Sequence, residues 1–337
     1  MSQPLRERPA GAVRRRRAAL PLPDGPFGVP LSTIDWLVSR ESPAARYVAL
    51  RDLLGRPAKD PDLRKAKQGF PREPFVREVL ALLRAKLAPG AGPAALERRY
   101  DGGVWLALFL TEVGADGTLL PLRHAGDVLL ARWERTLVAI ERHADTDLDA
   151  ALFRAALRVL SRIGWERDAR VREGADTLAS RALGGRGRTE KDLLLFASLP
   201  EGARSERVSR AISFHSARLL EAELPAALAR GAPEELLMPG FPCGDETDLV
   251  EMLFALALVL PAESRYEPVL SRALARLAAR ADHRARWTLE RPRPERLPVA
   301  LERTGELSRW VTLRALSVLQ HFCGLEVPGA PPPRRRP

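Results

Sequence analysis

Cysteine is almost missing from this chain of 337 residues, which contains only Cys243 and Cys323. Two cysteines cannot form a disulfide framework, so a reducing compartment is favoured. Apolar runs of the roughly 18 residues that a membrane helix needs are also missing. The longest run, LVEMLFALALVL, is interrupted by Glu251 and indicates a buried helix. The basic N-terminus is not followed by the apolar core of a secretory signal. We therefore expect a cytoplasmic protein.

Sequence motifs for common catalytic chemistry are missing too. The chain has no phosphate-binding P-loop, nucleophile elbow, His-Glu-x-x-His or paired Cys-x-x-Cys motif. The Gly-x-Gly fragment in ALGGRGRTEKD follows a predicted helix, which indicates a loop. His124, His143 and His215 are scattered, which is more typical of surface or hydrogen-bonded core histidines than of a site. The sequence thus predicts no cofactor and leaves open whether the protein is an enzyme.

Lysine is scarce, since only five of the 54 basic residues are lysines and the rest are arginines. The net charge of +11 comes mainly from the ends of the chain, which are rich in arginine and proline. The body between them is close to neutral. Weak contact with a polyanion is therefore expected through the tails rather than through the folded body.

Helical periodicity dominates the rest of the chain. Apolar residues recur at i, i+3 and i+4 in the long segments, which predicts an all-α protein of about a dozen helices. Residues 1–30 and 328–337 cannot bury enough apolar surface to order themselves and are predicted to be disordered tails. The prediction is therefore a single helical domain over residues 31–327 between two tails.

Helix boundaries have clear sequence signals. Ser42 followed by Pro43 predicts an N-cap and a first helical residue. Asp248 and Glu251 have the spacing of a capping box. The acidic group around them, which also includes Asp245 and Glu246, is more typical of a helix N-terminus than of catalytic carboxylates.

Three segments share one pattern, an apolar helix followed by a short break and a more charged helix. They begin at LALFLTEVGADG, RAALRVLSRIGW and LFALALVLPAES. This pattern predicts stacked helical hairpins with buried inner members, although their spacing is less regular than in a solenoid.

Four further segments carry a family resemblance: DWLVSRESPAARYVALRDLLGRP, YDGGVWLALFLTEVGAD, RARWTLERP and GELSRWVTLRALSVLQ. Across most of residues 33–322 the chain resembles uncharacterised bacterial proteins related to the squalene cyclase and protein prenyltransferase superfamily. The resemblance implies an α/α toroid, in which an inner ring of helices lines a cavity.

The catalytic patterns of that superfamily are not matched. The cyclases carry an Asp-x-Asp-Asp motif, whereas this chain has DTDLD, from Asp145 to Asp149, where a helix cap is expected. The prenyltransferases bind zinc through an Asp-x-Cys pair and a distant histidine. Here Cys243 and Asp245 stand in the reverse order, with His283 and His321 downstream. We therefore predict no metal site.

The segment SRWVTLRALSVLQHF, residues 308–322, is the best candidate for a site. At 100° per residue, its polar and aromatic side chains fall within an arc of about 60° on an otherwise apolar helix. That stripe faces either a lumen or the outer solvent, and in the second case its arginine snorkels to water past the tryptophan. Two aromatic residues earlier in the chain are candidates for the same space. The predicted ligand-binding residues are Tyr100, Trp105, Trp310, Arg314, Ser317 and His321.

Three classes of function remain open from the sequence. The leading hypothesis is an apolar central cavity that binds an isoprenoid-like or lipid-like small molecule. The second is an interaction scaffold whose centre is filled by side chains. The third is a helical-repeat protein that binds nucleic acid, which the nearly neutral body disfavours. A hollow of several hundred cubic ångströms with aromatic walls would favour the first class.

Overall fold

The protein is described here by a computed structural model that covers residues 28–132, 147–242, 244, 246–291 and 297–330. Most of the two predicted tails lies outside these residues, as do His143, Asp145, Cys243 and Asp245.

The described residues are mostly helical, as the periodicity predicted. The first seven helices are α1 (Leu31–Leu37), α2 (Pro43–Val48), α3 (Pro61–Gly69), α4 (Pro74–Lys86), α5 (Pro93–Glu97), α6 (Gly103–Glu112) and α7 (Leu120–Ala131). The next four are α8 (Asp147–Arg162), α9 (Ala169–Leu183), α10 (Thr189–Ser198) and α11 (Glu206–Arg218). The last four are α12 (Leu224–Ala227), α13 (Leu249–Ala257), α14 (Pro268–Ala278) and α15 (Arg309–Cys323). Strands β1 (Trp287–Thr288) and β2 (Leu307–Ser308) form a short antiparallel pair. Among the described residues, no helix has both the length and the apolar character needed to cross a membrane.

Several helix starts follow the predicted signals. Helix α2 begins at Pro43, although the side chain of Ser42 makes no capping bond to the backbone. Helix α13 is capped by Asp248, whose carboxylate accepts a 2.8 Å hydrogen bond from the backbone N–H of Glu251. The capping box is incomplete, because the Glu251 carboxylate binds Lys191.

The three predicted hairpins correspond to the helix pairs α6/α7, α8/α9 and α13/α14. The first helix of the first pair is buried almost all round, whereas α7 buries only one face. The second helix of the last pair likewise buries one face, through Leu270, Leu274 and Leu277. Among the described residues, the first helix of each pair therefore buries more of its surface than the second.

The buried helices contact one another in succession. Helix α4 packs against α6, α6 against α8, α8 against α10, α10 against α13, and α13 against α15. Aromatic rings connect the two ends of this series, because Phe75 of α4 makes edge-to-face contacts with both Phe109 of α6 and Trp310 of α15. One large hydrophobic core therefore runs through the inner helices.

Two of the sequence segments singled out above meet at the start of α15. Trp287 pairs with Ser308 in the two-stranded ladder. The Trp287 side chain is fully buried, and its indole N–H donates a 2.9 Å hydrogen bond to the carbonyl oxygen of Leu277. Ser308 caps α15 by accepting a hydrogen bond from the backbone N–H of Val311. The ladder and the cap are therefore both anchored at Ser308, where α15 starts.

Replacement of a core leucine of α15 tests this packing. Leu316 is fully buried, so Leu316→Ala should lower the free energy of unfolding by about 2–5 kcal/mol, because it leaves a cavity. The exposed Leu120 supplies a control, and Leu120→Ala should change stability by less than about 0.5 kcal/mol. Urea unfolding measures both variants, and equal effects would contradict the assigned burial.

Candidate functional site

A cavity of about 640 Å³ opens between the inner helices. Its wall comes from the segment after α2, the end of α6, α8, the loop before α13, the end of α13 and the middle of α15. The lining residues that carry charge are Arg51, Asp52, Glu112, Asp116, Arg158, Arg162 and Arg314. The volume lies in the range of small-molecule sites.

The cavity runs from an exposed rim to a buried interior. At the rim, the side chain of Asp52 is 47% exposed and pairs with Arg51. In the interior, Arg158 and Glu112 retain only 5% and 4% of their side-chain exposure and form a 2.8 Å ion pair. A molecule that enters past the rim therefore meets charges that are largely shielded from water.

One wall of the cavity is aromatic. The rings of Trp310 and Phe241 stack with centroids 5.2 Å apart and an angle of 8° between their planes. The guanidinium of Arg314 lies over the same Phe241 ring at 4.5 Å and over Phe254 at 5.3 Å. Cation–π contacts of this kind hold a planar arginine flat against the wall.

Arginines crowd the interior of the cavity. Arg162 donates a 3.0 Å hydrogen bond to the carbonyl oxygen of Thr111 at the end of α6. Among the described residues, no carboxylate oxygen lies within ion-pair distance of its guanidinium. Burial, followed by repulsion from Arg158, lowers the pKa of Arg162 to about 9. Desolvation and repulsion from Arg158 therefore both disfavour the charged form of Arg162.

Glu112 is the carboxylate at the centre of these arginines. Burial alone would raise its pKa, but the attraction of Arg158, Arg314 and Lys191 outweighs burial and lowers the pKa below the ordinary range. Glu112 is consequently an anion at neutral pH.

A second carboxylate, Glu251, lies behind Arg314. It forms a buried ion pair with Lys191, and one of its oxygens is 3.8 Å from the Arg314 guanidinium. The neighbouring Asp248 accepts hydrogen bonds from two backbone N–H groups. Burial, and then repulsion from Glu251, raises the pKa of Asp248.

Helix α10 begins with four consecutive buried polar residues, Thr189 to Asp192. Their side chains point in different directions round the helix. Thr189 donates a hydrogen bond to Glu223, Lys191 binds Glu251, and Asp192 binds Arg154. This turn therefore connects α10 to three other parts of the chain through polar contacts.

The structure brings three of the six predicted site residues into the cavity. Trp310, Arg314 and Ser317 line it. His321 does not: its Nε2 is 2.8 Å from the carbonyl oxygen of Leu260, which follows α13. Arg314 is only 8% exposed, so this part of the stripe is not a wet outer face.

Tyr100 and Trp105 lie in a separate small crevice. Their rings meet edge to face at 5.3 Å, and the crevice they line measures only about 20 Å³. Glu112 lines both the crevice and the large cavity. The two aromatic residues are therefore neighbours of the cavity and not part of its wall.

Sequence reasoning missed the charged interior of the site. Arg158 and Arg162 lie on an amphipathic helix in an arginine-rich chain, so nothing local marks them. Lys191 did carry a signal, because it is the only lysine after Lys86. A lone lysine two residues before the apolar LLLF segment indicates a position that composition does not explain.

Two residues of the zinc pattern and one of its histidines have a defined outcome. Cys243 and Asp245 lie outside the described residues, and His321 is committed to Leu260. Within the described part of the chain, no three histidine, cysteine or carboxylate side chains cluster closely enough to hold a metal ion.

Comparison with known proteins gives no assignment. No protein-family model, curated protein or solved structure matches the chain significantly.

Removal of the Lys191 ammonium should be strongly destabilising. Lys191→Met leaves Glu251 without its closest cation in the interior, at an expected cost of about 3–5 kcal/mol. Neutralising both partners in Lys191→Met/Glu251→Gln should recover part of that loss. For comparison, Arg303→Met removes the exposed pair with Glu306 and should cost at most about 1 kcal/mol. Chemical denaturation would contradict this account if Lys191→Met matched Arg303→Met.

Asp192 makes stability depend on pH in the acid range. Burial opposes its ionisation, but Arg154 and His215 outweigh burial and lower its pKa below the ordinary value. A lowered folded-state pKa stabilises the protein above the unfolded pKa of about 3.9, and this contribution disappears as pH falls through the folded value. Asp192→Asn should therefore be less stable than the parent at pH 7, and the gap should narrow below pH of about 4. Thermal melts from pH 7 down to this range measure the difference in stability between the variant and the parent. A difference that does not change with pH would refute the ion pair.

Proposed function

We propose that the protein binds a small molecule with an apolar or aromatic body in the cavity beside Trp310. The observation that carries this proposal is a hollow of about 640 Å³ with a stacked aromatic wall. Ligand sites usually combine such apolar walls with a few polar groups that fix orientation. An isoprenoid-like or lipid-like molecule fits the apolar part of this description. The proposal concerns binding and assigns no reaction.

We further propose that the inner helices form a closed α/α ring around this cavity. The succession of contacts from α4 to α15 supports it. So does the aromatic contact between Phe75 of α4 and Trp310 of α15, which brings the two ends of the series together. This arrangement agrees with the toroid that the sequence resemblance implies.

The scaffold and nucleic-acid hypotheses receive less support. A scaffold predicts a filled centre, whereas the cavity is large enough for a ligand. A nucleic-acid site needs cations on the surface for phosphate contacts, but Arg158 and Arg314 are buried. The basic tails, which would carry such contacts, lie mostly outside the described residues.

Filling the cavity tests the proposal. Ser317 lines it, and its hydroxyl donates to the carbonyl oxygen of Leu313 on the same helix. Ser317→Phe should therefore keep the fold and displace a bound molecule. Native mass spectrometry of gently purified protein should show a small-molecule adduct in the parent and lose it in this variant.

Ser209→Phe is the matched control. Ser209 is exposed on α11, and its hydroxyl makes the same kind of bond to the carbonyl oxygen of Ser205. The control should keep the adduct. If the adduct survives in Ser317→Phe, or if the parent binds no small molecule from a metabolite extract, the proposal is wrong.

A further inference from the structure

The interior of the cavity holds more positive than negative charge. Arg158, Arg162 and Arg314 line it, with Lys191 directly behind. The carboxylates next to these four cations are those of Glu112 and Glu251, with the Asp248 carboxyl beside Glu251. The rim does not change this imbalance, since Arg51 and Asp52 neutralise each other and Asp116 binds Lys67.

Two of the arginines have hydrogen-bonding capacity left over. A guanidinium has five N–H donors. In the described structure Arg162 uses one of them, to the carbonyl oxygen of Thr111. Arg158 is buried and uses its Nη1 on Glu112, while its Nε–H has no hydrogen-bond partner among the described residues. The Nε of Arg158 is closed off from solvent, whereas Arg162 is partly exposed and lines the cavity, so the donors that can meet a ligand are those of Arg162.

A bound anion would account both for the excess of positive charge and for the unused N–H donors. It would accept hydrogen bonds from the N–H groups of Arg162 that face the cavity and balance the repulsion between Arg158 and Arg162. Arginine suits this task because its planar fork binds phosphate or carboxylate oxygens through two parallel hydrogen bonds.

We propose that Arg162 and Arg158 form a subsite for an oxyanion group, a phosphate or a carboxylate, on the ligand of the cavity. This inference rests on the proposed function and narrows its ligand to an amphiphile. The anionic group lies in the arginine-lined interior, and the apolar or aromatic body lies against Trp310 and Phe241. Arg314 lies flat on the Phe241 ring between these two regions. It adds a flat surface to the aromatic wall and a positive charge to the arginine-lined interior.

The alternative is that Arg162 only caps the end of α6. The chain offers a matched control for this role in Arg265, whose guanidinium donates a 3.1 Å hydrogen bond to the carbonyl oxygen of Phe322 near the end of α15. Arg265 does not line the cavity. Arg265→Gln therefore reports the effect of losing a bond from arginine to a helix end, together with the contacts of Arg265 with Tyr266.

Thermal melts without ligand separate the two roles. Arg162→Gln removes one cation from a crowded cluster, so the melting temperature should stay level or rise. Arg265→Gln should lower it. A fall in Arg162→Gln as large as that in Arg265→Gln would assign Arg162 a purely structural role and overturn the subsite.

Titration calorimetry with phenyl phosphate, benzoate and phenol tests recognition directly. These probes share one ring and differ in their polar group. In the parent protein, phenyl phosphate or benzoate should bind at least about tenfold more tightly than phenol, as expected for charge-assisted hydrogen bonds. The better of the two anions identifies the group as phosphate or carboxylate. Equal affinity for all three probes would overturn the inference, and this comparison needs no variant to fold.

The variants locate the binding. Arg162→Gln should reduce the preference for the anions over phenol to near unity, whereas Arg265→Gln should keep it. Anion binding that persists in Arg162→Gln would place it elsewhere, such as on the basic tails, and would contradict the subsite. Phenol binding that Ser317→Phe abolishes, without any anion preference, would retain the proposed function and reject the oxyanion subsite.

Discussion

Buried charge is the constraint on which this structure depends. Removing a carboxylate or guanidinium from water costs several kcal/mol even after relaxation. The cost is tolerable only where partners are fixed in place. Here the partners come from different helices: Lys191 of α10 meets Glu251 of α13, Arg158 of α8 meets Glu112 of α6, and Asp192 of α10 meets Arg154 of α8. The ion pairs therefore join neighbouring helices, while the surrounding leucines and aromatic rings supply most of the hydrophobic stabilisation.

The same constraint produces the site. Most of these charges are paired, but pairing is incomplete where Arg158 and Arg162 face the cavity. Protein interiors are normally packed to the density of organic crystals. A hollow of about 640 Å³ that opens to solvent at its rim departs from this packing, and either water or a ligand can fill it. The aromatic wall and the arginine cluster occupy adjacent parts of the same cavity, as an amphiphilic ligand requires.

Local features of the fold were predictable, and the partners of buried polar groups were not. The cap at Asp248 and the start at Pro43 follow from neighbouring residues, so the sequence signals were sufficient. The stripe on α15 was also visible in the sequence, but the surroundings of its side chains depend on other parts of the chain. Arg314 faces the cavity because α13 and Phe241 lie beside it. His321 is hydrogen-bonded to the carbonyl oxygen of Leu260. Lys191 and Glu251 are 60 residues apart, a distance over which periodicity carries no information.

A crystal structure of the protein with phenyl phosphate tests the central claim most directly. The account predicts density for one molecule inside the cavity, with the ring against Trp310 and phosphate oxygens within about 3 Å of the Arg162 guanidinium. Arg158, at the same end of the cavity, should keep its ion pair with Glu112. A cavity filled by rearranged side chains, or a ligand bound with its phosphate directed to solvent and away from the arginines, would contradict it.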